Sequence, residues 1–102
     1  MITVKNVEEN DSLVIMTKGR MGGEASIEWY RKVKEIIDNS NKQEVILDFK
    51  EIDFLDSSGL GALVAINSTL LKKNKSLIIR NAPESLMGLL KITTLDRVLN
   101  VQ

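Results

Sequence analysis

The sequence predicts an α/β fold, a mixed sheet of four to five strands with about four helices, in one domain over residues 1–102. Two short apolar runs near the start, separated by turn formers, predict an N-terminal β-hairpin. A nearly continuous apolar strand, a long helical pattern and another apolar run then follow one another. That order predicts a central parallel βαβ unit. The length, 102 residues, suits one core and leaves little room for a second.

In the hairpin, Ile2 and Val4 alternate with polar neighbours, and Leu13-Val14-Ile15-Met16 forms the second run. Between them lies Glu8-Glu9-Asn10-Asp11-Ser12, rich in turn formers. The second strand is expected to end near Gly19, with Gly22-Gly23 as a flexible link onward. From Glu24 to Ser40, Ala25, Trp29, Val33, Ile36 and Ile37 recur at helical spacing, and charged residues fill most positions between. Trp29 lies in that stripe and is read as core.

Val45-Ile46-Leu47-Asp48-Phe49 reads as a central strand. A helix starting near Gly59 places Leu60, Leu63, Val64, Leu70 and Leu71 on one side, widened by Ala62, Ala65 and Ile66. Small Gly61, Ala62 and Ala65 predict close approach of its backbone to the sheet. Leu77-Ile78-Ile79 makes the next strand. Pro83 opens a short helix at its first turn, with Leu86, Leu89 and Leu90 inward. Thr94 caps a further turn through Arg97, and Val98 to Val101 supplies a short final strand.

Composition excludes several functions. Lys plus Arg equals Asp plus Glu, 14 each, so no broad field invites nucleic acid or an anionic membrane. The run Lys72-Lys73-Asn74-Lys75 reads as a solvated helix end with cations at its negative pole. There is no cysteine and no histidine, which removes disulfides, Cys-ligated zinc, thiol catalysis and imidazole acid–base chemistry. The N-terminal residues do not read as a signal peptide, and no apolar stretch approaches bilayer length. A cytoplasmic protein without membrane insertion is expected.

Asp56-Ser57-Ser58-Gly59 stands where the central strand passes into the apolar helix. One reading makes a residue of this stretch the helix N-cap and nothing more. The other uses the same helix N-terminus to receive an oxyanion or a phosphate. A nucleophilic serine lacks a histidine base, and the loop lacks the Gly-Lys-Ser/Thr ending of a P-loop. Asp48, Asp53 and Asp56 are close in sequence, but strand alternation and an intervening turn are expected to spread them apart. No enzyme, no cofactor and no metal site is expected.

Val45 to Phe49 followed by Ile52-Asp53-Phe54-Leu55-Asp56-Ser57-Ser58-Gly59-Leu60-Gly61 closely resembles the signature of the STAS domain, the family of bacterial anti-sigma factor antagonists. The likeness extends to the early hairpin, the first helix and the tail Leu89-Leu90-Lys91-Ile92 with Thr94-Leu95-Asp96. It implies a STAS-like fold and a switch subunit. In that family an anti-sigma factor, itself a serine kinase, phosphorylates the serine directly after the Asp, and a phosphatase resets it. By match the phospho-acceptor is Ser57, with Ser58 beside it. The partner-binding surface implied comprises Arg20, Met21, Gly22, Asp56, Ser57, Ser58, Gly59 and Leu60.

One position departs from the family pattern. After the second strand the family reads Gly-Glu/Arg-Leu-Asp, whereas this chain reads Gly19-Arg20-Met21-Gly22. Gly22 thus replaces a carboxylate, leaving Arg20 in a less acidic neighbourhood where it can attract a phosphate. The alternative function is an unphosphorylated STAS adaptor of a transporter or signalling complex, the loop then being only a helix cap. A nucleotide sensor is a weaker third reading, since no lysine stands in the loop to grip a triphosphate.

Overall fold

The computed structural model describes residues 2–102. Strands β1 (Ile2–Glu9) and β2 (Ser12–Met21) form the antiparallel hairpin, joined by Asn10 and Asp11. Helix α1 (Glu24–Asp38) leads into β3 (Glu44–Leu55), α2 (Ser57–Lys72) and β4 (Ser76–Arg80). Helix α3 (Glu84–Thr93) follows. The sheet order is β1-β2-β3-β4. β3 and β4 are parallel, as the βαβ pattern predicts, and β2 and β3 are parallel too. Helix α1 is therefore a second parallel crossover, hidden in the sequence because the hairpin strand feeds it.

One face of the sheet carries the core. Leu13, Ile15, Val45, Leu47, Phe49, Leu77 and Ile79 point toward α1 and α2 and join Trp29, Val33, Ile37, Leu63, Ile66 and Leu70 in one buried cluster. Trp29 is fully buried. Its Nε1 donates to Thr17 Oγ1 at 2.9 Å, and its ring meets Phe49 edge-on at 6.2 Å between centroids. The indole thus fills volume and satisfies a buried hydroxyl in one contact.

Several expectations need correcting. Among the described residues the sheet has four strands, and the expected fifth is a single parallel bridge from Ile79 to Val101. Among the described residues three α-helices form, and Leu95–Arg97 makes only a 3-10 turn. Thr94 precedes it in a left-handed conformation, with no side-chain cap. Pro83 sits at the N-cap of α3 rather than inside its first turn. Strand β2 runs past Gly19 to Met21, and β3 runs past Phe49 to Leu55.

The polar pair Lys50-Glu51 ends the apolar run but not the strand, because two register shifts against β2 take up the extra residues. No turn separates Asp53 from the strand. Helix α2 begins at Ser57, two residues earlier than expected. Leu71 is 63% exposed rather than buried, since Ile66 and Leu70 occupy the inward positions of the last turns.

Candidate functional site

Asp56 is the N-cap of α2. Its backbone is extended and its Oδ1 accepts from Ser58 N at 2.9 Å and Gly59 N at 3.1 Å. These are two of the amide groups that a helix start leaves without an internal partner. Leu60 N closes the first turn on the Asp56 carbonyl at 3.0 Å.

The end of β2 lies directly against this turn. Asp56 N donates to Met21 O at 3.4 Å. A β-carbon on Gly59 would overlap that same Met21 carbonyl oxygen and lie 2.8 Å from Leu55 Cγ. A β-carbon on Gly22 would lie 2.6 Å from Asp56 Oδ2. Gly59 thus faces the backbone of β2, and Gly22 faces the capping carboxylate of Asp56. Of the small residues Gly61, Ala62 and Ala65 expected to allow close approach, Gly61 does not serve it, since a β-carbon there would meet nothing within 4 Å; Gly59 is the glycine that meets β2.

The residues assigned to a partner surface divide into two groups. Ser57, Ser58 and Arg20 are exposed, and Gly22 and Asp56 are half-buried. Met21, Gly59 and Leu60 are buried, so they lie beneath the surface rather than on it. The Arg20 guanidinium stacks over the Phe54 ring, 4.6 Å from its centroid, the two residues being register partners across β2 and β3.

The three aspartates separate, as expected. Asp48 Oδ1 accepts from Lys50 N and Asn81 Nδ2 at 3.0 Å each. Asp53 lines a shallow depression with Thr3, Lys18 and Glu51, while Asp56 caps α2. Among the described residues no group of three or more His, Cys, Asp or Glu side chains could hold a metal ion. No helix of the described residues is long and apolar enough to cross a membrane.

The carboxyls whose acidity shifts belong to surface ion pairs on α1. A hydrogen bond from Lys32 holds Glu28 below its ordinary value. Hydrogen bonds from Lys34 and Lys73 do the same for Asp38. Asp38 thereby ties the C-terminal ends of α1 and α2 together, at the far end of α2 from Ser57.

A largely apolar groove between α1 and α2 opens beside Ser58, lined by Ser26, Ile27, Tyr30, Ala62 and Ala65. Ile27 is 61% exposed on its rim. The buried Ser26 Oγ has no hydrogen-bond partner among the described residues. The signal was present: Ile27 is an apolar residue off the stripe, and two alanines sit where larger side chains would close the gap.

Residues 3–102 match the family model of the STAS domain. A solved anti-sigma factor antagonist from Mycobacterium paratuberculosis is similar at 19% identity and TM-score 0.82, over 99% of this chain and 85% of that one. The anti-sigma factor antagonist SpoIIAA in its unphosphorylated form is similar at 18% identity and TM-score 0.77, over 98% of this chain and 88% of that one. The phosphorylated form of SpoIIAA, a Bacillus cell fate determinant, is similar at 18% identity and TM-score 0.72, over 98% and 91%. At such identities the likeness is one of fold.

Proposed function

The chain belongs to the STAS domain family, and from that footing we propose that it acts as an anti-sigma factor antagonist whose binding is switched off by phosphorylation of Ser57. Its partner is an anti-sigma factor that is also a serine kinase, and a phosphatase resets the modified form. The setting of this exchange is the cytoplasm, and the outcome is control of sigma-factor-dependent transcription. The observation that supports this reading most is the exposed Ser57 at the first position of α2, directly after a capping aspartate.

The chemistry follows from that position. A phosphoserine carries about 1.5 to 2 negative charges at neutral pH. At the first position of a helix the positive dipole end favours that charge, so the fold tolerates it. A partner surface that covers the site must instead desolvate the phosphate beside the Asp56 carboxylate, which repels it. Association weakens while the free domain keeps its structure. No group of the chain is asked to act as acid, base or nucleophile.

Incubation with the cognate anti-sigma kinase and Mg-ATP, followed by peptide mass spectrometry, tests the assignment. The modification should fall on Ser57 and vanish in Ser57→Ala; label that persists in that variant removes Ser57 from the role.

One observation favours a second reading. Gly22 brings no carboxylate next to the serine, and Asp56 Oδ2 fills the space a side chain there would need. A chain without that acid fits an unphosphorylated adaptor whose groove beside Ser58 receives a partner. Capture of a membrane transporter subunit from source cells, with no modified Ser57, would decide for the adaptor.

A further inference from the structure

Strand β1 lies at the edge of the sheet, with β2 as its only neighbour among the described residues. An open edge presents unpaired amides and carbonyls to any second strand. The hairpin fixes which ones. Its two-residue loop makes Glu9 and Ser12 the closing, hydrogen-bonded pair, so Val7 and Lys5 also turn their amides toward β2. Asn6 and Glu8 then turn theirs outward. The register with β2 runs from Ile2 to Glu9 without a bulge, so the edge is straight and complete.

The outer face of the sheet carries a second feature. Val7, Val14, Ile46 and Ile78 are successive register partners and form one apolar row across all the strands. Val14 and Ile46 are nearly covered, yet neither joins the main core cluster. Val7 ends the row at the open edge and is 41% exposed. On the same face, Lys5 and Glu9 flank Val7 at the two adjacent positions of its strand, with opposite charges.

From this pattern we infer that β1 pairs antiparallel with β1 of a second copy, about a two-fold axis through Val7. Val7 then faces the partner's Val7, and Lys5 faces the partner's Glu9 on both sides of the axis. These fall at non-hydrogen-bonded pairs, where side chains approach most closely. Asn6 and the partner's Glu8 form the hydrogen-bonded pairs between them, with the outward amides the hairpin leaves free. Shifting the axis to Asn6 would place Lys5 opposite Val7 and lose both ion pairs. Charges on an edge strand ordinarily discourage pairing; here their order makes the strand complementary to itself. The result is an eight-stranded sheet in which the apolar row runs unbroken through both copies. The inference rests on β1 alone and is independent of Ser57.

Sedimentation equilibrium of the full chain, from micromolar to millimolar concentration, tests it. The wild type should dimerise reversibly. Lys5→Glu and Glu9→Lys should each weaken self-association by about tenfold, because each sets like charges against one another twice. An equimolar mixture of the two variants should form a mixed dimer as tightly as the wild type. The double variant Lys5→Glu/Glu9→Lys should recover self-association, and circular dichroism should report native folds throughout. A wild type that stays monomeric over the whole range overturns the proposal. So does a Lys5→Glu variant that self-associates undiminished, or a mixture that yields no mixed dimer.

Discussion

Gly22 and Asp56 occupy a space that admits only one side chain: a β-carbon on Gly22 would lie 2.6 Å from Asp56 Oδ2. The same carboxyl group, through Oδ1, caps the first turn of α2. The residue at position 22 therefore controls how the helix that carries Ser57 begins. Gly22→Ala should displace the Asp56 carboxylate and remove part of the cap. A loss of about 1 kcal/mol of unfolding free energy is expected, comparable to other caps, read by urea denaturation. Stability equal to wild type would mean that the carboxylate moves aside without losing its bonds.

The cap itself predicts a contrast between two substitutions. Asp56→Ala removes the acceptor for Ser58 N and Gly59 N and should lower stability by about 0.5 to 2 kcal/mol. Asp56→Asn keeps an oxygen in place and should lose much less, since asparagine caps nearly as well. Thermal unfolding of the pair checks this. Equal losses would assign the role to charge rather than to the hydrogen bonds.

Two glycines of one helix should respond in opposite directions. Gly59→Ala drives a methyl group into the Met21 carbonyl and Leu55, and overpacking of this kind typically costs 1 to 3 kcal/mol, roughly. Gly61→Ala adds a methyl group in open space at an exposed helical position. It should stabilise by up to about 1 kcal/mol, the difference in helix propensity. Denaturation midpoints moving the same way in both variants would contradict the packing described.

Trp29 carries a polar contact as well as volume. Trp29→Phe keeps an aromatic ring in the core but leaves Thr17 Oγ1 without its buried donor. The lost volume and the unpaired hydroxyl together should lower stability by about 2 to 4 kcal/mol. Adding Thr17→Val should return part of that loss, because the hydroxyl then goes with its donor. A double variant no better than Trp29→Phe alone would show that the hydrogen bond contributes little.

These features differ in how far the sequence reveals them. The hairpin, the stripe of α1 and the strand–helix–strand order are periodic, and periodicity survives without coordinates. Val45 to Phe49 was legible because it is continuously apolar; its extension to Leu55 was not, because bulges break the alternation that marks a strand. The terminal strand shrank to one bridge at Val101, a long-range pairing that no local pattern encodes. At the site, Asp-Ser-Ser-Gly gave the cap and the exposed serines. It did not give the contact of Met21 with Gly59, since that depends on β2 lying beside α2. The α1–α2 groove is likewise a relation between two helices distant in sequence.

The most direct test of the switch is calorimetric titration of the anti-sigma kinase with wild-type chain, Ser57→Ala and Ser57→Asp. The account predicts binding by the first two and a loss of about two orders of magnitude for Ser57→Asp, with native circular dichroism in all three. Undiminished binding by Ser57→Asp, or by protein quantitatively phosphorylated at Ser57, would contradict it.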